Sequence, residues 1–385
     1  MPPQLREVRA ELPCLARETY LNAGGAGPLP RRVAGEVRAA MERDLARGRM
    51  GGASIHANEA ELAGLRAESG ALLGAPPERI AVAHNTSAAI GAVIWGVEWS
   101  EGDEVVTTAL EHPGLAAPLW ALGRRRGVRL RVIPAEEATH GLEAAVAALS
   151  GPRTRLVALS HVAYGSGAVL DVAGAARAAA AAGALTLVDG AQSVGAMAVD
   201  ARSLGVDAYA FPAHKWLLGP EGLGALWLAE GVEDRLGVTF ASFESGLDHQ
   251  PGGAFRPHPG ARRFELSTPA FPLVPGWRAA LAWLAELGWD WVLSRTAAAQ
   301  EDAREALAGL PGVTLLTPPG PQAGLVSFRV AGWAPEAACQ ALERAGVIVR
   351  WLAYPAAVRV SAGFYTDQDD IARLTAAVAA LASPR

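Results

Sequence analysis

TRLVALSH (154–161) and LTLVDGAQ (185–192) are short apolar runs, and the alanine-rich stretch VAGAARAAAAAG (172–183) lies between them. Apolar runs of this length, rich in leucine and valine, are typical of buried strands, whereas the alanine-rich stretch favours a helix. Parallel strands need such a crossover, because the chain must return along the sheet before the next strand begins. The segment therefore predicts a parallel sheet that is buried on both faces.

The same alternation of strand and helix patterns extends from about residue 79 to 229. The further predicted strands are RIAVAH (79–84), DEVVTTA (103–109), RLRVIP (129–134), DAYAFPAH (207–214) and GLGALWLA (222–229). The last connection, HKWLLGPEG (214–222), is too short for a helical crossover, so the final strand is predicted to be antiparallel. The prediction is an α/β fold with a mostly parallel sheet of seven strands.

The C-terminal part has a different pattern. GLDHQPGGAFRPHPGARR (246–263) predicts a long loop, and a tryptophan-rich helical region follows at 277–310. GLVSFRVAG, PEAACQALERAG, VIVRW and VRVSAG then predict strand, helix, strand and strand, before a final helix near Thr366 with Thr366 and Asp369 as its N-cap box. We expect a large domain at 21–255, and a smaller α+β domain at 1–20 and 256–385 that includes the interdomain segment.

Composition excludes several classes of protein. The 385 residues carry a formal net charge of -5 and show no basic stripe, which argues against nucleic-acid binding. Cys14 and Cys339 are the only cysteines and form no CxxC, so neither a disulfide framework nor a zinc site is expected. The charged N-terminus does not resemble a secretory signal, and no apolar run is long enough to span a membrane. We expect a cytoplasmic protein.

Polar residues follow several predicted strands at the carboxyl edge of the sheet, where open α/β sheets bind ligands. They are Thr86, Ser87, His112, Asp189, Gln192, His214 and Lys215. Thr86 and Ser87 begin a predicted helix, so they form either an anion site or plain N-caps. Alone, a histidine–lysine pair or an aspartate at a strand end is usually a surface or turn feature. All of these residues together, in this order along the chain, are a more specific signal of a ligand site than any one of them.

Pyridoxal phosphate (PLP) fits this combination. The cofactor needs a lysine for a Schiff base and a carboxylate at its pyridine nitrogen, which Lys215 and Asp189 provide. It also needs a phosphate site at a helix N-terminus and a flat side chain against its ring. The alternative, a dinucleotide site at NAGGAGPLP (22–30), fails because proline replaces the third glycine and no acidic residue ends a following strand.

The chain resembles the class V (cysteine desulfurase-like) branch of the fold-type I PLP-dependent enzymes. The resemblance rests on YLNAGGAGPLP (20–30), HNTSAAI (84–90), TTALEHPG (107–114), ALSHVAYGSGAVLDV (158–172), LVDGAQSVG (187–195), AFPAHKWLLGPEGLGALWL (210–228), RRFELSTPAFPL (262–273) and VRVSAGFYTDQDDI (358–371). EHPG, AHKWLLGPEG, RRFELSTPAFPL and QAGLVSF (322–328) resemble the L-cysteine/cystine carbon–sulfur lyases most. Isopenicillin N epimerase-like proteins and ergothioneine-pathway lyases are near neighbours.

The resemblance implies a role for each matching residue. Lys215 carries the cofactor, Asp189 pairs with the pyridine nitrogen and His112 stacks on the ring. The remaining cofactor contacts are Thr86, Ser87 and His214 at the phosphate, Gln192 at the phenolic oxygen and Thr268 at the phosphate of the partner subunit. Thr268 thus implies a homodimer with shared active sites. Arg359 would bind the substrate α-carboxylate, and Asn22 lies in the substrate-side loop.

Two departures from the family pattern bear on the reaction. Tyr164 stands where many relatives have asparagine, and RWLAYPAAV (350–358) lacks the cysteine that desulfurases carry there. Cys339 falls in a helical pattern, and Cys14 is far away in sequence. We therefore expect a lyase that converts cystine or cysteine to pyruvate, ammonia and a persulfide or sulfide by β-elimination.

Several alternatives remain open at this point. Arg350 either binds the second carboxylate of cystine or lies exposed at a strand end. The same scaffold also suits an aminotransferase, an epimerase or a desulfurase with an external thiol acceptor. A catalytically silent binding protein is a further alternative, against which the intact Lys215, Asp189 and His112 argue.

Overall fold

The computed structural model describes residues 3–248, 250, 252–321 and 323–382. His249 and Pro251 of the predicted long loop, and Gln322 of the motif QAGLVSF, lie outside the described residues. The helices are α1 (Pro3–Glu11), α2 (Arg31–Arg47), α3 (Gly52–Leu72), α4 (Thr86–Gly96), α5 (Pro113–Arg126), α6 (Ala135–His140), α7 (Leu142–Leu149), α8 (Val172–Ala181), α9 (Val274–Leu287), α10 (Trp289–Ala308), α11 (Pro335–Arg344) and α12 (Gln368–Ala382). In this part of the chain, no helix is both long and apolar enough to cross a membrane.

The strands include all seven that the sequence predicts for the large sheet. They are β1 (Thr19–Tyr20), β2 (Ile80–Ala83), β3 (Glu104–Thr108), β4 (Arg129–Ile133), β5 (Thr154–Ser160), β6 (Leu185–Asp189), β7 (Ala208–Pro212), β8 (Gly224–Leu228), β9 (Val313–Leu315), β10 (Leu325–Val330), β11 (Val347–Ile348), β12 (Arg350–Leu352) and β13 (Ala357–Ser361). The sequence reading missed the short strands β1 and β9, and the single strand predicted at VIVRW is two strands, β11 and β12, which belong to different sheets.

The large sheet has the strand order β2-β8-β7-β6-β5-β3-β4. Strands β3 to β7 are parallel, and β8 is antiparallel to both β7 and β2. The predicted α/β fold with a mostly parallel sheet of seven strands and an antiparallel final strand is therefore confirmed. The short connection from β7 to β8 causes the reversal, because it contains no helix that could return the chain.

Alternate residues of the strands face two separate helical layers. Leu156 and Ala158 pack with α4 and α5, whereas Val157 and Leu159 pack with α3, α7, α8 and α9. This alternation follows from the two-residue period of a strand. Helices on both faces bury the sheet and leave its carboxyl edge open, which is where loops can form a site.

A second sheet, with the order β12-β13-β10-β9, is antiparallel and packs against α10, α11 and α12. β1 pairs with β11, so the N-terminal segment joins this C-terminal part of the chain. The domain boundaries at residues 20 and 255 remain a prediction.

The predicted cap of the final helix is wrong by one residue. Helix α12 begins at Gln368, and a reciprocal box forms between Asp367 and Asp370. The Asp370 amide donates to Asp367 Oδ1 at 2.9 Å, and the Asp367 amide donates to Asp370 Oδ2 at 3.2 Å. Thr366 is instead buried. Aspartates at both positions of the box outcompete the threonine because their carboxylates accept hydrogen bonds more strongly.

Candidate active site

The carboxyl edge of the large sheet borders a cavity of about 890 Å³. Its lining includes most residues that the sequence singles out: Asn22, Thr86, Ser87, His112, Asp189, Gln192, His214, Lys215, Arg350 and Arg359. Asn22 follows β1, and the other residues up to Lys215 lie at or just after the carboxyl ends of β2, β3, β6 and β7. The two arginines lie on β12 and β13. Both sheets therefore contribute to one cavity.

Lys215 and Asp189 form the base of the cavity. Burial lowers the pKa of Lys215 to about 8, and the charges of Arg359 and Arg350 act in the same direction, while Asp189 opposes them. Burial also raises the pKa of Asp189, and the Lys215 charge opposes this shift. A lysine with this pKa is partly neutral near pH 7, and a neutral amine can attack a carbonyl group or accept a proton.

Lys215 is also the only lysine in the chain, since the other 33 of its 34 basic Lys and Arg residues are arginines. An arginine remains protonated in proteins and cannot act as a nucleophile near neutral pH. The single lysine thus lies at the one position where the chain needs an amine that can lose its proton. The sequence reading missed this signal.

The start of α4 presents groups that could hold an anion. Asn85 is the N-cap, and its side chain accepts a hydrogen bond from the Ala88 amide at 2.9 Å. Thr86 and Ser87 are therefore not the caps, and their amides belong to the first turn, which has no partners within the helix. His214 Nδ1 is buried without a hydrogen-bond partner among the described residues. A phosphate group would satisfy these donors, so the residues fit the phosphate of PLP.

His112 caps helix α5. Its Nδ1 accepts a hydrogen bond from the Gly114 amide at 2.9 Å, which fixes the ring at the cavity edge. Partial burial lowers the pKa of His112 to about 4, and Lys215, Arg359 and Arg350 contribute to the shift. The ring is therefore uncharged at neutral pH, so it could lie against a cationic heterocycle without charge repulsion.

Arg359 and Arg350 are direct neighbours across the β12–β13 pair. Such neighbours share one face of a sheet with their Cβ atoms about 5 Å apart. Arg359 is 2% exposed, and burial followed by the Arg350 charge lowers its pKa to about 10, so it remains charged at neutral pH. Neither guanidinium pairs with a carboxylate among the residues that the structure describes. Two adjacent cations without a protein counter-ion favour an anionic ligand.

Gln192 and Asn22 also line the cavity, and Asn22 forms an isolated bridge with Ser361 of β13. Gln192 Nε2 donates to the Gly24 carbonyl at 2.9 Å, and its Oε1 accepts from Trp216 Nε1 at 3.0 Å. These bonds fix the amide and leave one Nε2 hydrogen, so its contact with the phenolic oxygen stays a prediction. Asn22 Oδ1 is buried without a partner in the described part of the chain. Thr268 does not line this cavity; it is exposed, with a φ of 56°.

The sequence reading missed part of the lining. Cys339, Gln340 and Glu343 of α11 face the cavity, together with the turn at 353–354. Cys339 packs in its helix as predicted, and burial followed by the Glu343 charge raises the pKa of its thiol to about 12. The spacing of 339 and 343 places both on one helical face, but only the tertiary packing shows which surface that face covers.

Glu111, for which the sequence reading gave no role, is a buried carboxyl group next in sequence to His112 of the cavity lining. Its oxygens accept hydrogen bonds from Thr108 Oγ1 at 2.5 Å and from Ser160 Oγ at 2.6 Å. It thereby joins the carboxyl ends of β3 and β5. Burial raises the pKa of Glu111 to about 7, and the Asp189 charge contributes in the same direction.

Comparisons with known proteins agree with this site. Residues 19–374 match the family model "Aminotransferase class-V", so the chain belongs to that family. It is 33% identical to isopenicillin N epimerase of Streptomyces clavuligerus over 94% of both chains. It is 30% identical to a probable cysteine desulfurase of Methanothermobacter thermautotrophicus, over 89% of this chain and 86% of that protein.

Two solved structures of a cystine C-S lyase, C-DES, are also similar. The complex of C-DES with its reaction product cysteine persulfide has a TM-score of 0.92 and 32% identity, and covers 97% of this chain and all of that one. A lysine-to-alanine variant of C-DES, with glycine covalently linked to its PLP cofactor, has a TM-score of 0.93 and 31% identity, with 97% and 99% covered. The chain is a PLP-dependent enzyme of the class V family.

Proposed function

We propose that the enzyme is a carbon–sulfur lyase that performs β-elimination on cystine- or cysteine-type amino acids. The observation that carries this proposal is one cavity that holds an amine with a lowered pKa, Lys215, and a buried arginine, Arg359, but no reactive thiol in its described lining. The similarity to a cystine C-S lyase over nearly the whole chain supports it.

The residues have distinct roles in holding the cofactor. Lys215 would bind it covalently, Asp189 would face its pyridine nitrogen and His112 would lie against its ring. Thr86, Ser87 and His214 would hold the phosphate, and Gln192 would approach the phenolic oxygen. When bound, PLP withdraws electrons from the α-carbon of the substrate and so makes the α-proton acidic.

The chain's own groups then carry out the elimination. Arg359 binds the α-carboxylate through its forked N–H donors and orients the α-C–H bond. The Lys215 amine, released when the substrate amino group takes its place, accepts the α-proton. The Cβ–S bond breaks, and its electron pair leaves with sulfur, as a persulfide from cystine or as sulfide from cysteine. The remaining three-carbon enamine takes up water and gives pyruvate and ammonia. Cystine is the better substrate, because a persulfide is a less basic leaving group than a simple thiolate.

A thiol-transfer mechanism does not fit the described residues. A persulfide-accepting cysteine must be ionised and mobile enough to reach the substrate sulfur. Cys339 is buried on α11 and its pKa is raised to about 12, and the turn of the β12–β13 hairpin contains no cysteine. Arg350 extends the proposal to cystine, because it lies beside Arg359 and can bind the carboxylate at the far end of the substrate.

The decisive experiment incubates the PLP-loaded enzyme with L-cystine and L-cysteine and measures pyruvate, alanine and sulfur species together. We expect pyruvate in amounts equal to ammonia, and faster from cystine. Alanine together with persulfide sulfur would instead identify a desulfurase that uses an external acceptor. If neither product forms, the lyase proposal fails.

One observation favours a second candidate function. The observation is the 33% identity to isopenicillin N epimerase over 94% of both chains. Proton exchange at the α-carbon without loss of a β-group would use the same Lys215, and so would transamination. Incorporation of solvent deuterium at the α-carbon of an amino acid without a β-leaving group, with loss of its optical rotation, would support epimerisation. Formation of a keto acid from that substrate would support transamination.

We also propose a homodimer with shared active sites. Thr268 is exposed, in a left-handed conformation that is unusual for a β-branched residue. Nearby in sequence, Phe240, Leu247 and Phe255 are 56%, 43% and 46% exposed, and apolar side chains exposed in such a group often lie at interfaces. A second copy that covers them would bring Thr268 to the cofactor phosphate of its partner. Sedimentation analysis should give twice the mass of the chain.

We also propose that the enzyme is located in the cytoplasm. Cys14 and Cys339 are both free thiols, as is usual in a reducing compartment. Fractionation of cells that produce the native protein, with immunodetection, tests the location directly.

A further inference from the structure

Tyr164 contacts three parts of the cavity at once. Its ring meets the His112 ring edge-on, with centroids 5.0 Å apart and an interplanar angle of 89°. Its hydroxyl donates to the Tyr354 carbonyl at 2.7 Å, in the turn of the β12–β13 hairpin. Its own carbonyl accepts a hydrogen bond from Arg359 Nη1 at 2.9 Å. The residue that departs from the family pattern thus touches the stacking histidine, the buried arginine and the turn.

The surrounding backbone holds Tyr164 close to these groups. A Cβ at Gly165 would lie 2.4 Å from Pro355 Cδ, and a Cβ at Gly167 would lie 2.9 Å from the Leu325 carbonyl oxygen. Glycine at 165 lets the loop after β5 pack directly on the hairpin turn, and glycine at 167 lets the same loop pack on the start of β10. Burial also raises the pKa of the Tyr164 hydroxyl, which therefore keeps its proton and remains a donor.

We propose that Tyr164 is a positioning residue that holds His112 and Arg359 in their working orientations. The hydroxyl bond to Tyr354 anchors the side chain, the anchored ring packs against His112, and the main-chain carbonyl directs Arg359 into the cavity. Arg359 Nε is buried and unpaired among the described residues, so the Tyr164 carbonyl is the protein contact that fixes this guanidinium. This inference rests on the proposed function, because both assign the substrate carboxylate to Arg359.

The expected consequence is a change in substrate affinity rather than in the chemical step. Tyr164→Phe removes only the hydroxyl and its intramolecular bond to Tyr354, so the positioned arrangement of the loop should be favoured about five-fold less over looser ones. We therefore expect KM for L-cystine to rise about five-fold while kcat changes less than about two-fold, since Lys215 is untouched. Tyr164→Ala also removes the ring that supports His112, so it should shift the absorbance maximum of the bound cofactor, which Tyr164→Phe should preserve.

Glycine is the probe that separates this inference from the lyase proposal. Glycine has an α-carboxylate but no β-substituent, so it binds at Arg359 without elimination, and its dissociation constant is measured from the cofactor absorbance. We expect weaker glycine binding by about five-fold in Tyr164→Phe. If the unaltered enzyme makes no pyruvate from cystine, the lyase proposal fails, while the glycine titration still tests Tyr164.

Arg329→Gln is the matched control. Arg329 Nε donates to the Ala356 carbonyl at 2.8 Å from the outer side of the same hairpin, and Arg329 is exposed. Its loss loosens the turn without touching His112 or Arg359, so glycine binding and KM should stay unchanged. Equal weakening in Arg329→Gln and Tyr164→Phe would assign the effect to the turn and overturn the role of Tyr164. Unchanged glycine binding in both Tyr164 variants would overturn it as well.

Discussion

The two sides of the cavity are built differently. The floor, which consists of His112, Asp189, His214 and Lys215, lies at or just after the carboxyl ends of β3, β6 and β7 in the large sheet. The wall, which consists of Arg350, Arg359 and the turn at 353–356, belongs to a hairpin of the second sheet. The floor thus holds the residues proposed to bind the cofactor, whereas the wall holds the arginines proposed to select the substrate.

The largest expected effect tests the floor. Lys215→Ala should lower kcat by about 10³-fold or more, because both the covalent attachment and the α-proton acceptor are lost. Since Lys215 is the only lysine, borohydride reduction of the loaded protein should attach one cofactor, in the peptide that contains residue 215. Lys215→Arg is the matched control: it keeps the positive charge but cannot become neutral, so it should be equally inactive. Turnover that survives in either variant would refute the assignment.

A second test concerns stability rather than activity, and its subject is Glu111, the buried carboxyl group next to His112 in sequence. The pKa of Glu111 is raised to about 7 in the folded protein from an ordinary value of 4.5. Between these two pH values the folded state binds more protons than the unfolded state, so the unfolding free energy falls as pH rises. The shift corresponds to about 3 kcal/mol. The stabilising contribution is fully present below about pH 4.5 and is lost as pH rises through about 7.

Glu111→Gln should remove this slope, because an amide does not titrate and can still accept from one hydroxyl and donate to the other. Urea unfolding of the loaded protein at about pH 5 and about pH 7 measures the difference. Asp189, whose pKa is also raised, stays in the variant and keeps its own contribution to the slope. An unchanged pH dependence in Glu111→Gln would show that the carboxyl group titrates as an ordinary glutamate.

The floor was predictable from sequence for a topological reason. The carboxyl ends of parallel strands meet at one edge, so residues that follow those strands converge regardless of loop detail. Asp189, His112 and Lys215 were found in this way, and all three line the cavity. Glu111 received no role, because its two hydroxyl partners come from different strands and only the strand order brings them together.

The wall was less predictable, because no periodicity relates the second sheet to the first. The sequence gives the β12 and β13 strands but not which residues pair across them, and the Arg350–Arg359 pairing depends on a register set by the turn. The contacts of Tyr164 depend on how the hairpin packs against the loop after β5. The cap of α12 was misplaced by one residue for a local reason, since Asp367 and Asp370 compete with Thr366 for the same role.

The smallest expected effect tests whether the wall selects the longer substrate. Arg350 is exposed, and an exposed ion pair stabilises a complex by about 1 kcal/mol at most. Arg350→Gln should therefore raise KM for L-cystine about five-fold and leave KM for L-cysteine nearly unchanged, because only cystine has a carboxylate at its far end. In the unaltered enzyme, the preference for cystine should shrink as salt rises, since salt screens exposed charges. An equal rise in KM for both substrates would place Arg350 at the α-carboxylate beside Arg359. An unchanged KM for both would show that Arg350 is an exposed strand-end arginine without a role in binding, and that the wall selects the substrate through Arg359 alone.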